Sequence, residues 1–390
     1  MSTEKLIAYL KGAQATKSAV IPPAKAGARR YYFHAPSVGE YLLAEEIMRS
    51  LTAAGHEVIL TYTSQSLPDW FKKSRTGPAV NFTYHGFIPL GSRRDMTAWL
   101  DKIRPDKVIF VKYDFWKSLI DAANEAGIPV IAISAVMSER SGRFRYLKTR
   151  TKKLLSKFTR VYAATEEDRA NFTSLFPEVR CEVQGDMGFD MAQSRSTNKL
   201  PAFPADFPEK CTLVAGSVWP PDNEILFPVV RKLLIKGVLK KFIVAPHEPK
   251  PKYTDEILRY FGEDSVLLSQ AGGDTQGKKV LVVDMLGALN LLYQFADVAY
   301  VGGAFTTGVH NVIEPCVFGV PCVFGPKFQN STAAIYLTQN GLAASITDAD
   351  QLSGAFTDFT AGKEKLSPEI LAYFSSGLGV RQKILDALLE

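Results

Sequence analysis

Apolar positions along this 390-residue chain follow two alternating rhythms: short continuous runs, and longer stretches in which one apolar face recurs at helical spacing. In the first half Tyr31–His34, Val58–Tyr62, Val108–Val111, Val130–Ser134 and Arg160–Ala164 read as strands. In the second half Cys211–Ala215, Phe242–Ala245, Val280–Val283, Val298–Val301 and Cys322–Phe324 read the same way. The clearest helical stretch is Glu40–Ala54, where Leu42, Leu43, Ile47, Met48 and Leu51 share a face and Gly55 ends it. Trp99–Ile103 belongs to another helix, Asp114–Ala126 to a third, and Thr165 reads as the N-cap of a fourth. Strand, helix and strand in alternation predict parallel sheets built from βαβ units. The polar, proline-rich run Met191–Pro208 breaks the rhythm, so it reads as a linker between domains at 1–195 and 196–390.

The densest chemistry lies in Ala296–Pro326, ADVAYVGGAFTTGVHNVIEPCVFGVPCVFGP. Val298–Val301 ends in Gly302-Gly303, whose small residues permit a tight turn and a close approach of backbone N–H groups to a ligand. Asn311–Phe318 then reads as a short helix with Glu314 in its first turn, where a carboxylate suits the helix dipole and can reach a pair of sugar hydroxyls. Strand, glycine turn and helix start together predict a phosphate pocket.

Composition narrows the class without choosing a substrate. A 46% hydrophobic and 22% charged chain of this length can bury two cores and is not a disordered protein. The net charge of +6 favours an anionic partner such as a nucleotide, an acidic lipid surface or a nucleic acid. Cys181, Cys211, Cys316 and Cys322 lack C-x-x-C spacing and read as reduced core residues of a cytoplasmic protein. No apolar run approaches the ~20 residues of a spanning helix.

The joint spacing of Gly302-Gly303, His310-Asn311 and Glu314-Pro315, followed by FGVPCVFGP, resembles the nucleotide-sugar site of the Kdo transferases. These attach 3-deoxy-octulosonic acid (Kdo) to lipid A in Gram-negative bacteria. The resemblance continues in other blocks across about residues 31 to 340. It implies two Rossmann-like α/β domains facing a cleft, the GT-B glycosyltransferase fold. Loops after Phe33 and Phe110 would then meet loops after Ala215, Ala245 and Val301.

Residue by residue, FHAPSVGE resembles a family motif whose last glutamate, here Glu40, is the proposed general base. Ser37 and Gly39 in that loop are either helix-start residues or acceptor contacts, and His34 reads as a hydrogen-bonded packing residue. KYDFW resembles the family's ETELW block, with Lys112 at its first acidic position and Asp114 at its second. Lys112 then fits a contact to the Kdo carboxylate or an acceptor phosphate, while Asp114 is equally read as a helix N-cap. Gly216 and Ser217 of AGSVWPPDNEIL stand where the family has a sugar- or phosphate-binding turn. Pro246 and His247 replace a Pro-Arg pair, so the positive charge there is less assured. Leu286, Gly287 and Ala288 correspond to nucleotide contacts, with Ala288 in place of a glutamate and therefore offering backbone only. Gly303, Asn311, Val312, Ile313 and Glu314 complete the nucleotide set.

The expected activity is an inverting, metal-independent transfer of Kdo from CMP-Kdo to a lipid A precursor in lipopolysaccharide core biosynthesis, with no cofactor. Asp348-Ala349-Asp350 matches the D-x-D of metal-dependent transferases, but Asp348 reads better as an N-cap. A UDP-sugar-dependent transferase or epimerase of the same fold, or a lipid A or nucleotide-binding protein with weakened catalysis, remain alternatives. The family's usual apolar N-terminal anchor is absent from this chain as written, so the expected placement is peripheral, on the cytoplasmic face of the inner membrane. There, Arg140–Arg160 mixes Arg143, Arg145, Lys148, Lys152 and Lys153 with Phe144, Tyr146, Leu147, Leu154 and Leu155. That segment is either a contact to an anionic membrane surface or a core helix with a solvated basic face. As a nucleic-acid signal it lacks any recognition module, and no nucleic-acid partner is expected.

Overall fold

The computed structural model describes residues 3–73, 78–89, 91–137, 147–198, 200, 203–207 and 211–390. The chain divides into two compact units, Met1–Asp190 with Gly379–Glu390, and Met191–Leu378. Each is a doubly wound α/β unit around one parallel sheet.

In the first unit the strands are β1 (Arg30–His34), β2 (Glu57–Tyr62), β3 (Tyr84–Phe87), β4 (Lys107–Val111), β5 (Val130–Ala135), β6 (Arg160–Ala163) and β7 (Cys181–Val183). Their spatial order is β3-β2-β1-β4-β5-β6-β7, all parallel. The helices are α1 (Thr3–Ser18), α2 (Val38–Ala53), α3 (Ser66–Lys73), α4 (Arg93–Ile103), α5 (Lys117–Glu125), α6 (Lys148–Leu155) and α7 (Glu166–Leu175), and α8 (Gly188–Ser196) begins in this unit and continues past Asp190 into the second. Helix α2 shows how the sequence builds them. Ser37 caps it by accepting the Gly39 N–H, and Tyr41, Ala44, Met48 and Leu51 fall on one buried face. Gly55 then leaves the helix at φ 86°, a conformation glycine adopts without strain. Burying each large apolar side chain of that face contributes ~1.5–3 kcal/mol.

The second unit contains β8 (Thr212–Val218), β9 (Lys241–Pro246), β10 (Ser265–Leu267), β11 (Val280–Val282), β12 (Val298–Val301), β13 (Cys322–Phe324) and β14 (Ala343–Ser345). The order is β10-β11-β9-β8-β12-β13-β14, again parallel. Its helices are α9 (Pro220–Ile235), α10 (Pro251–Phe261), α11 (Leu289–Leu292), α12 (Ile313–Cys316), α13 (Thr332–Gln339) and α14 (Ala349–Ser376). Leu213, Phe242, Val280, Val298 and Tyr300 of the sheet meet Leu226, Val230 and Leu233 of α9 in its core.

The last helix, α15 (Val380–Leu389), belongs to the first unit rather than to the domain in which the sequence placed it. The cause is local. The Asp190 carboxylate accepts the backbone N–H groups of Gly379 and Arg381, each at 2.8 Å, and so caps the start of α15. At the other end the Leu388 carbonyl receives Lys107 Nζ at 2.6 Å and the Tyr31 hydroxyl at 3.3 Å.

Two further differences from the sequence reading follow from hydrogen bonding. Helix α5 opens at Lys117 and not at Asp114, because the Asp114 side chain is engaged elsewhere. The helix expected over Asn311–Phe318 is restricted to Ile313–Cys316: Asn311 Oδ1 accepts the Ile313 N–H at 3.0 Å, and Gly319, at φ 64°, lies beyond its end.

Candidate functional site

Doubly wound sheets leave a crevice at the carboxyl ends of the strands where the strand order reverses. In the first unit the reversal falls between β1 and β4. The loop leaving β1 carries Ser37, Gly39 and Glu40, and the loop leaving β4 carries Lys112 and Asp114. The two loops are joined by His34. Its ring, fully buried, has Nδ1 3.0 Å from Thr61 Oγ1 and Nε2 3.3 Å from Asp114 Oδ2. Asp114 Oδ2 also accepts Trp116 Nε1–H at 3.1 Å, so this carboxylate braces the loop and does not cap α5. His34 is the hydrogen-bonded packing residue expected.

Glu40 stands in the first turn of α2, half-buried, and its Oε2 accepts the Ser37 hydroxyl. That bond fixes the carboxylate while leaving lone pairs for another donor. Lys112 has φ 66°, a left-handed conformation that costs an L-residue about 1–3 kcal/mol. Its backbone N–H is held by the Ile133 carbonyl at 3.0 Å. Strained backbone of this kind clusters at ligand sites, and Lys112 carries it at a strand's carboxyl end.

In the second unit the order reverses between β8 and β12, and here the remaining candidates converge. Val301 lies in register with Gly216, and Gly302 donates to the Gly216 carbonyl at 2.9 Å. A Cβ on Gly302 would sit 2.4 Å from the Ser217 carbonyl oxygen, so only glycine allows the two turns to touch. Gly303 has φ 95°, and Ser217 is also left-handed at 55°. Gly216 is also tight, since a Cβ there would meet the Tyr293 hydroxyl at 2.1 Å and the Leu289 side chain at 2.8 Å.

Asp222, fully buried in the first turn of α9, ties these turns together. Its Oδ2 accepts the Trp219 N–H at 2.8 Å and the Gly303 N–H at 3.0 Å, and its Oδ1 accepts the Tyr300 hydroxyl at 2.8 Å. Burial raises its pKa and these three donors oppose the shift. Beside it, Trp219 stacks on His247 at 4.4 Å and His247 on His310 at 4.6 Å, and Trp219 Nε1–H donates to His310 Nε2 at 3.1 Å. An accepting Nε2 puts the His310 proton on Nδ1. Burial, with His247 stacked alongside, depresses the His310 pKa to about 4, so the ring is neutral at physiological pH.

Glu314 is 15% exposed on α12, with Arg195 Nη1 3.7 Å from its Oε1. Burial raises its pKa, and Arg195 together with a hydrogen bond from Asn311 pulls the other way. Val312 and Ile313 have buried side chains and can offer a ligand only backbone, and the same holds for Ala288. Leu286 and Gly287 lie on an exposed loop leading into α11, and Pro246 ends β9 just before His247. Sequence reading did not single out Asp222, Trp219, Arg195 or Tyr300 as site residues, and it took His310 only as part of the motif spacing, without a role. An aspartate three residues after Trp219, behind two prolines that open a helix, was a usable signal for Asp222.

Asp348 caps α14 by accepting the Gln351 N–H at 2.9 Å, which accounts for it without a metal. Among the described residues no group of His, Cys, Asp and Glu is placed to hold a metal ion, and no helix is long and apolar enough to cross a membrane. Of the basic segment, α6 buries Thr151 and Leu155, while Arg143, Phe144, Arg145 and Tyr146 lie outside the described residues.

Two doubly wound units in one chain, each with a reversal of strand order in its parallel sheet, are the build of the GT-B class of glycosyltransferase fold. Solved structures of that build are similar over nearly the whole chain. The UDP-GlcNAc 2-epimerase of Neisseria meningitidis matches with a TM-score of 0.62 at 14% identity, covering 92% of this chain and 99% of that one. The glycotransferase of kitacinnamycin matches with a TM-score of 0.58 at 15% identity, covering 93% and 98%. At such identities the likeness is one of fold.

The sequence comparisons narrow the class further. Residues 9–191 match the family model described as 3-deoxy-D-manno-octulosonic-acid transferase (kdotransferase). The 3-deoxy-D-manno-octulosonic acid transferase of Chlamydia pneumoniae is 28% identical over 326 residues, 77% of this chain and 70% of that protein. The one from Rickettsia felis is 22% identical over 369 residues, 92% of this chain and 78% of that protein. A bifunctional glycosyltransferase/methyltransferase of Fusobacterium nucleatum is 25% identical over 310 residues, and the chain spans only 47% of its length. The chain is thus similar to the Kdo transferases, through the family model over residues 9–191 and through relatives at 22–28% identity.

Proposed function

We propose that this protein transfers Kdo from CMP-Kdo to a hydroxyl of a lipid A precursor, with inversion at the anomeric carbon and without a metal or cofactor. The observation that carries the reading is the coincidence of motif and topology. The blocks that resemble the family's acceptor and donor motifs stand at the switch points of two separate sheets, where doubly wound folds bind ligands. Glu40 takes the proton of the attacking hydroxyl, held for this by the Ser37 hydroxyl. Lys112 receives an anionic group of the sugar or acceptor, and Asp114 fixes the loop that presents it.

On the donor side Glu314 and Asn311 receive the ribose hydroxyls, and backbone N–H groups of the turn at Gly216 and Ser217 face the phosphate, while Gly303, its own N–H held by Asp222, shapes the turn beside them. CMP leaves as a monophosphate, so oriented backbone dipoles suffice where a diphosphate would call for a metal clamp. Pro246, His247, Leu286, Gly287, Ala288, Val312 and Ile313 border the nucleotide. An acceptor of this kind is an amphiphile, and the reading therefore includes an anionic membrane surface as partner, at the cytoplasmic face of the inner membrane.

CMP release measured with and without a lipid A precursor, in the presence of a chelator, tests the reading. Acceptor-dependent release that chelation leaves unchanged is the expected result. Release from a UDP-sugar in place of CMP-Kdo, or none from either, would replace this proposal.

A further inference from the structure

Apart from the switch-point crevice, the first unit has a cavity of about 370 Å³ lined by Lys117, Asp121, Arg150, Lys153, Leu154 and Lys157. Its volume is at the small end of ligand sites, the size of a headgroup and not of a whole lipid. Four cationic residues and one carboxylate line it. Asp121, 9% exposed on its side chain, accepts from both Lys117 and Lys157, with the Lys157 Nζ at 2.5 Å. Burial pushes its pKa up, but hydrogen bonds from the two lysines outweigh that and hold it below the usual carboxylate range. Asp121 is therefore ionised and spent on Lys117 and Lys157.

Arg150 and Lys153, on consecutive turns of one face of α6, have no acidic partner among the described residues. Lys117 is the first residue of α5, a nine-residue helix whose cap residue Trp116 supplies no side-chain hydrogen bond. The positive end of that helix adds to the side-chain charge. A net positive cavity with a forked guanidinium and an ammonium both uncommitted suits a dianion with three acceptor oxygens better than a carboxylate, which a single arginine satisfies.

We propose that this cavity binds a phosphate group, with Arg150 and Lys153 as its direct contacts and Asp121 holding Lys117 and Lys157 at its wall. The inference does not depend on the transfer reaction, since none of these residues belongs to the donor or acceptor machinery proposed above. Phosphate could be presented as the free ion or as a lipid headgroup, and the test separates the two.

Inorganic phosphate is titrated by calorimetry, at low ionic strength, into the full chain and into an Arg150→Gln/Lys153→Gln variant. Thermal unfolding of both proteins in phosphate-free buffer checks that the variant folds. Saturable binding weakened about a hundredfold in the variant is expected, roughly tenfold for each charge-assisted contact. A Lys117→Gln variant, in which Lys157 still pairs with Asp121, should lose less. In a second arm, co-sedimentation with phosphatidylcholine vesicles is compared with and without phosphatidate. Phosphatidate-dependent binding lost in the double variant identifies a lipid headgroup, whereas calorimetric binding alone identifies the soluble ion. No saturable phosphate binding by the unaltered protein, or equal binding by a folded double variant, overturns the proposal.

Discussion

The Asp222 carboxylate accepts the backbone N–H of Gly303 at 3.0 Å, across 81 positions of sequence, in a fully buried setting. The first turn of α9 thereby fixes the glycine turn after β12. With the part-buried Trp219 N–H and the buried Tyr300 hydroxyl on the same carboxylate, removing it would leave three donors unsatisfied. Asp222→Ala is expected to cost at least ~3 kcal/mol, since each orphaned group is worth ~1–3 kcal/mol. Asp222→Asn should cost less, because its amide oxygen can take both N–H groups while its NH2 donates to Tyr300. Urea denaturation of the two variants checks the order; an Ala variant as stable as the Asn variant would remove Asp222 as the link.

His310 predicts a pH dependence. Its folded pKa of about 4 lies below the ordinary value of 6.5, so between those limits the unfolded chain binds more protons than the folded one. Stability therefore falls as pH drops from about 6.5 towards 4 on this group's account, and protonation of Nε2 also removes the acceptor for Trp219 Nε1–H. His310→Gln, whose carbonyl can still accept that bond, should flatten this limb of the stability curve. Thermal unfolding at several pH values in that window decides it, and parallel curves for the two proteins would contradict the assignment.

The ten strands read from the sequence are all present in the structure, and the four that were not read, β3, β7, β10 and β14, are the outer strands of the two sheets. The physical reason is plain. Inner strands such as β2 and β5 are buried at every position and leave continuous apolar runs, whereas β7 (Cys-Glu-Val) and β14 (Ala-Ala-Ser) are three residues long and partly exposed. The glycine turn and the place of Glu314 in the first turn of a helix were legible because their constraint is local. Asp222, Arg195 and the Trp219–His247–His310 stack were not, since each acquires its role from a partner distant in sequence. The place of α15 was hidden for the same reason, its cap being Asp190.

Glu40→Gln tests the proposed base. The amide keeps the size of the carboxylate and an acceptor for the Ser37 hydroxyl, so the fold of α2 should not change. Transfer is expected to fall by at least ~100-fold, the low end for loss of a general base, with CMP affinity intact. Single-turnover CMP release is the measurement, and near-normal transfer by the variant excludes Glu40 from the proton step.

Glu314 makes the sharpest claim about the donor. It is 15% exposed and accompanied by Arg195 at 3.7 Å, too far for a hydrogen bond, so its oxygens retain capacity for two ribose hydroxyls. A carboxylate hydrogen-bonded in this way contributes about 1.5–3 kcal/mol, so Glu314→Ala should weaken CMP binding by roughly tenfold to a hundredfold. The same carboxylate has a pKa raised by burial, and only its ionised form accepts from both hydroxyls. CMP affinity should therefore fall with decreasing pH from a point above the ordinary glutamate range, and Glu314→Gln should lose that dependence. Calorimetry of CMP binding by the three proteins across pH reads both effects. Equal affinity at neutral pH would assign Glu314 to the fold of α12 alone. A normal loss at neutral pH with an unchanged pH profile in Glu314→Gln would keep the ribose contact and refute the titration.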